Sequence, residues 1–102
     1  LLGALGADLA SGFLRQADRR GVSTDALEVS ISGRLNNPLM VLGVIGETGH
    51  PGFEMIRGTL YVSADADQAV LQQIWTDALA CSPMVNTLRL AVDLQLDLQI
   101  TQ

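Results

Sequence analysis

Cys81, the only cysteine in the 102 residues, is followed directly by Ser82 and Pro83. That order of residue types puts a thiol where one helix stops and another starts. Proline supplies no N–H to a preceding turn and fits best at the first position of a helix, so Pro83 marks the break. Ser82 is then the capping residue, its hydroxyl accepting from backbone N–H groups that have no partner within the helix. Free N–H groups of that kind also favour a thiolate nearby. The chemistry on offer is nucleophilic attack or oxidation at sulfur; the plainer reading is a small hydrophobe packed at a helix end. A second set of polar residues, Asp8, Ser11 and Arg15, falls at i, i+3 and i+7 on one face of an otherwise apolar stretch. A carboxylate there needs a donor or a cation, because an uncompensated buried charge is costly. Asp8 is therefore hydrogen-bonded within the core, turned into a wet crevice, or part of a site. His50, the only histidine, lies between Gly49 and Pro51 and reads as a solvated loop residue rather than a catalyst or ligand. The chain has no lysine, which excludes a lysine Schiff base, and one cysteine cannot form an internal disulfide or a multi-thiolate metal site. No metal or other cofactor is expected, and a reducing, cytoplasmic compartment is the natural setting.

The elements that must position these residues follow from periodicity. Leu1 to Arg20 reads as a helix whose first fourteen positions are apolar, glycine or alanine apart from Asp8 and Ser11, a pattern that predicts burial nearly all round. A membrane span needs about twenty apolar residues, so this interrupted run predicts none, and without a basic flank it does not read as a signal peptide. Arg19 and Arg20 before Gly21 suit a helix C-terminus, with cations at the negative end of the dipole and then a left-handed glycine. Leu27, Val29, Ile31 and Leu35 alternate with polar residues and predict a strand. Asn36-Asn37-Pro38 is a turn, Leu39 to Ile45 a short apolar strand or extended segment, and Gly46 to Gly52 a loop. Phe53 to Ser63 is the next strand, with Ile56, Leu60 and Val62 on one face and Arg57, Thr59 and Tyr61 on the other. Asp65 with Gln68 resembles a capping box opening a helix whose apolar stripe is Val70, Leu71, Ile74, Trp75, Ala78 and Leu79. That helix delivers Cys81. From Leu90 to Thr101 leucine, valine and isoleucine alternate strictly with other residues, the clearest strand in the chain. Helix, two or three strands, helix and strand make an α+β domain, a small sheet covered by two helices.

Composition adds the partners. Hydrophobic residues make up 48% and charged residues only 17%, so some apolar surface is expected to go into a second subunit, as a homodimer. The formal net charge is −5 and the basic residues are scattered arginines without aromatic neighbours, which excludes a nucleic-acid footprint.

Several runs, in order and over nearly the whole chain, carry a family resemblance: Leu1-Leu2-Gly3-Ala4-Leu5-Gly6-Ala7-Asp8-Leu9-Ala10, the Gly21-Val22 turn into a strand, Gly52-Phe53-Glu54, and Cys81-Ser82-Pro83 running to Thr87-Leu88-Arg89. Together they resemble the OsmC/Ohr family, the osmotically inducible and organic hydroperoxide resistance proteins. The resemblance implies a single OsmC-like domain over residues 1–102, with a small antiparallel sheet packed against two long helices in an intertwined homodimer. It also implies hydroperoxide reduction: a cysteine on the central helix attacks the peroxide, becomes a sulfenic acid and is resolved by a second cysteine. Cys81 matches the resolving position, and Asp8 stands where the peroxidatic cysteine falls. A carboxylate cannot become a sulfenic acid, so the two-thiol cycle is not expected. The family's N-terminal β segment, with the arginine that activates the attacking thiol, has no match, and Arg15 or Arg89 is left to offset the charge of Asp8. The favoured expectation is a divergent OsmC-like protein of the peroxide and stress-response family that has lost two-cysteine peroxidase activity but keeps the fold, the dimer and a crevice for a small apolar ligand. The alternatives are a one-cysteine hydroperoxide reductase using Cys81 and a structural or interaction module.

Overall fold

A computed structural model describes residues 2–35 and 53–101. In them the chain runs α1 (Leu2–Arg19), β1 (Thr24–Leu35), β2 (Phe53–Ala64), α2 (Gln68–Cys81), α3 (Pro83–Leu88) and β3 (Asp93–Ile100). The α+β class and the small sheet with its helices are as expected. The Asn36-Asn37-Pro38 turn, the Leu39 to Ile45 segment and the His50 loop lie outside the described residues.

The three strands are ordered β1-β2-β3. β1 and β2 pair antiparallel, with Val29 opposite Leu60, whereas β2 and β3 pair parallel, with Leu60 opposite Leu98. The sheet is therefore mixed, not antiparallel throughout. The connection from β2 to β3 carries both α2 and α3, and a crossover of that length is what parallel neighbours require. Alternation decides which face meets the helices. Leu27, Val29 and Ile31, then Ile56, Leu60 and Val62, then Leu94, Leu96, Leu98 and Ile100 join a core with Leu5, Leu9 and Phe13 of α1 and Leu71, Ile74 and Trp75 of α2. The opposite face is polar and exposed, with Glu28, Ser30, Arg57, Asp97 and Gln99 among its residues. Only the middle strand is fully covered: Ile56 and Leu60 are 0% exposed, whereas the inward residues of β1 and β3 are half-buried. At Gly58 a Cβ would lie 2.8 Å from Ile31 Cδ1 and 3.0 Å from Leu96 Cδ2, so the missing side chain is what lets the two flanking strands fold their side chains over the centre beneath Leu9.

α1 departs from the expectation of burial all round. Leu5, Leu9, Phe13 and Ala17 form one buried stripe, while Gly3, Ala4, Ala7 and Leu14 are exposed in the chain. Alanine and glycine are compatible with either environment, so the composition of that helix overstated how much of it is covered. Its end is as expected: Gly21 has φ +69°, the Val22 N–H donates to the Ala17 carbonyl at 2.9 Å and the Gly21 N–H donates to that of Asp18 at 3.1 Å. This double closure is the Schellman arrangement, with glycine in the left-handed position.

Two boundaries move. The Asp65 capping box does not form; α2 starts after Asp67, whose side chain caps nothing. Asp65 instead donates its N–H to the Ser23 carbonyl at 3.4 Å, which keeps it with the end of the hairpin rather than the start of the helix. The last strand begins at Asp93, not Leu90. The N–H groups of Leu90, Ala91 and Val92 donate to the carbonyls of Thr87 and Leu88, satisfying the open end of α3, and Leu90 is left 88% exposed.

Candidate functional site

The site is built at the junction of α2 and α3. Ser82 is extended, at φ −85° and ψ 113°, and serves both helices: its N–H donates to the Leu79 carbonyl, and its Oγ accepts from the Val85 N–H at 3.1 Å. Pro83 follows in the first turn of α3, as expected from its missing N–H. The Asn86 side-chain amide donates to the carbonyls of Ala80 at 3.1 Å and Ser82 at 2.8 Å, closing the end of α2. Cys81 is thereby the last residue of α2, and it is exposed. The reading of Cys81 as a buried apolar residue does not hold.

What meets Asp8 is Ser82. The Ser82 hydroxyl donates to Asp8 Oδ2 at 2.5 Å while accepting from the Val85 N–H, a chain of two hydrogen bonds from α3 to α1 across 74 residues of sequence. A serine cap has this second capacity because its oxygen accepts from the backbone and its proton remains free to donate. Ser82 is 7% exposed. Ser82 as a cap and Asp8 in need of a donor are each legible from neighbouring residues; their contact across 74 residues is not.

Beside this contact lies a cleft of about 220 Å³, lined by Asp8, Arg15, Gln16 and Arg19 from α1 and by Cys81 and Ser82 from the end of α2. The helices come close at Gly12, where a Cβ would stand 3.9 Å from Ala78 Cβ and equally far from Arg15 Nη2. Asp8 and Cys81 thus line one cleft. Arg15 lines it, whereas Ser11 and Arg89 do not. Its side chains are largely polar, where an apolar crevice was expected. The apolar groove lies elsewhere, about 280 Å³ between Leu2, Gly6 and Ala7 of α1 and Val29 and Ile31 of β1.

Among the described residues the ion pairs are Arg20–Asp77 at 2.7 Å and Arg34–Glu54 at 3.3 Å, so neither Arg15 nor Arg19 of the cleft is matched to a carboxylate in this way. The hydrogen bond from Arg20, with a second from Gln73, holds the Asp77 carboxyl below its ordinary range. That pair is solvated and contributes little to stability. Among the described residues no group of histidine, cysteine, aspartate or glutamate is arranged to hold a metal ion, and no helix is long and apolar enough to cross a membrane. Chemically, the arrangement offers an accessible thiol at the wall of a small cleft carrying two guanidinium groups.

A family model described as OsmC-like protein matches residues 1–97. No curated protein matches the sequence. Among solved structures, an OsmC like protein from Mycoplasma pneumoniae superposes with a TM-score of 0.81 at 14% identity, over 99% of this chain and 68% of that one. An organic hydroperoxide resistance protein OsmC from Legionella pneumophila gives a TM-score of 0.67 at 17% identity, over 96% of this chain and 64% of its own. The organic hydroperoxide resistance protein OhrB of Bacillus subtilis gives 0.61 at 20% identity, over 96% of this chain and 65% of its own. At such identities the structural likeness is one of fold, and the chain spans only about two thirds of each of these proteins.

Proposed function

The chain belongs to the family of OsmC-like proteins, and from that membership we propose that it is a divergent member, homodimeric, which binds a small molecule in the cleft between α1 and the end of α2 and does not run a two-thiol hydroperoxide cycle. The observation that carries this reading is the Asp8–Ser82 hydrogen bond. At the position that the resemblance assigns to the attacking thiol stands a carboxylate already engaged in holding α1 to α3. It has no sulfur to oxidise, and Cys81 has no second thiol in the 102 residues with which to close a disulfide. A reducing, cytoplasmic setting suits a lone exposed thiol. The names of two of the structural neighbours, organic hydroperoxide resistance proteins, support a connection with peroxide stress. Exposed Leu14 and the apolar α1–β1 groove support the dimer.

The test is consumption of cumene hydroperoxide in the presence of dithiothreitol. Wild type is expected to match Cys81→Ser, both at the background rate. The exposure of Cys81 favours one competing reading, the one-cysteine reductase. Turnover in the wild type that disappears in Cys81→Ser would establish that activity in place of the proposed one. Sedimentation at micromolar concentration is expected to give twice the chain mass, and a monomer there would remove the dimer from the proposal.

A further inference from the structure

We propose that the cleft beside Cys81 takes a small carboxylate-bearing anion, held by Arg15 and Arg19; this names the ligand class for the binding role proposed above and rests on it. The two arginines stand at i and i+4 on α1, the spacing at which like charges on a helix oppose each other, and both line the cleft. Arg19 gains from its place in the last turn of the helix, where the dipole favours a cation. Arg15, a turn earlier, lacks that compensation. Its guanidinium nonetheless comes back over Gly12, with Nη2 3.9 Å from where a Cβ would stand, at the place where α1 meets α2.

The one carboxylate in the lining offsets them only in part. Asp8 accepts the Ser82 hydroxyl through Oδ2, and the ion pairs among the described residues lie at Arg20 and Arg34. Two guanidinium groups against one engaged carboxylate leave the cleft net positive, in a chain whose formal net charge is −5. A local positive site on an acidic protein draws anions to one place and repels them from the rest. The planar fork of a guanidinium matches a carboxylate in two parallel hydrogen bonds, which selects that group over a spherical ion. The size limit is equally informative. At about 220 Å³ the cleft is below the ~300–1,000 Å³ of pockets for drug-sized ligands, so the occupant is a short-chain acid.

Cys81, exposed at the same wall, reports on the charge. Iodoacetate and iodoacetamide are nearly the same size and alkylate sulfur by the same displacement of iodide, but only iodoacetate is an anion. The ratio of their rate constants at Cys81, measured on the whole chain at low ionic strength, isolates the attraction. Arg15→Gln with Arg19→Gln is expected to lower the iodoacetate-to-iodoacetamide ratio about tenfold, from two unit charges acting over a few ångströms in a water-like medium. Arg89→Gln, outside the cleft, is expected to leave the ratio unchanged, and added salt to erode the wild-type preference. Succinate, as a probe acid, is expected to slow iodoacetamide labelling in the wild type and not in the double variant. An unchanged ratio in the double variant overturns the proposal, as does failure of either reagent to label Cys81 or failure of succinate to protect it. Hydroperoxide turnover would overturn the preceding reading instead, and it is measured separately from these rates.

Discussion

Leu60→Asp is expected to leave the chain unfolded where Leu94→Asp leaves it folded but weakened. Leu60 is 0% exposed on the middle strand, with Val29 opposite on one side and Leu98 on the other. A carboxylate there meets neither donor nor water, and burying it costs several kcal/mol, comparable with the ~5–15 kcal/mol that holds a domain of this size together. Leu94 also points toward the helices, but it is half-buried, and it lies opposite Ile56 near the start of β3, an edge strand among the described residues. Its carboxylate can turn toward solvent, so the loss there is about 1–3 kcal/mol. Trp75, the only tryptophan and 6% exposed, supplies the fluorescence signal for urea titrations of both variants. A wild-type midpoint for Leu60→Asp would mean that the faces of β2 are assigned the wrong way round. Equal damage from the two variants would mean that β3 is covered rather than at an edge.

The second large effect is expected at the junction. Ser82→Ala removes a helix cap, which alone costs about 1 kcal/mol. It also leaves Asp8 without its donor in a part-buried position, at about 1–3 kcal/mol more. Asp8→Ala is expected to cost about 1–2 kcal/mol, because the cap on Val85 survives it. The double variant should lose less than the sum of the two, with a coupling of about 1–2 kcal/mol, since each single change already abolishes the shared hydrogen bond. The four midpoints from urea titration give the coupling directly. Additive losses would show that Asp8 and Ser82 do not act as a unit, and the structural role given to Asp8 would be lost with them.

What could be read from the sequence was what neighbouring residues decide among themselves. Ser82 and Pro83 announce a helix junction because capping and the missing N–H act within three or four positions. The alternation after Leu90 announces a strand because the pleat has a period of two, and Arg19-Arg20-Gly21 announces a helix end for equally local reasons. The losses came where a distant partner decides. Asp65 and Gln68 have the types of a capping box, but the N–H of Asp65 is taken by Ser23 across the hairpin. Leu90, Ala91 and Val92 continue the alternation of the strand, yet the carbonyls of α3 claim their N–H groups first. Alternation within a strand is indifferent to its direction, so the parallel pairing of β3 was not legible. The partner of Asp8 was not legible either, because it is 74 residues away and had already been given a local task.

The double duty of Ser82 divides the cleft into residues that are free to drift and two, Ser82 and the Asp8 it holds, that are not. Any replacement of Ser82 disturbs the start of α3 and the hold on α1 together, so a change of chemistry there is charged against folding. Arg15, Arg19 and Cys81 line the same cleft and hold no ion pair among the described residues, and substitutions among them are expected to leave the scaffold intact. Over generations the ligand proposed for such a cleft can be exchanged for another by altering the charges on its α1 wall, while its Ser82 floor stays fixed. The neutral route to a new specificity on this domain therefore runs along one helix face.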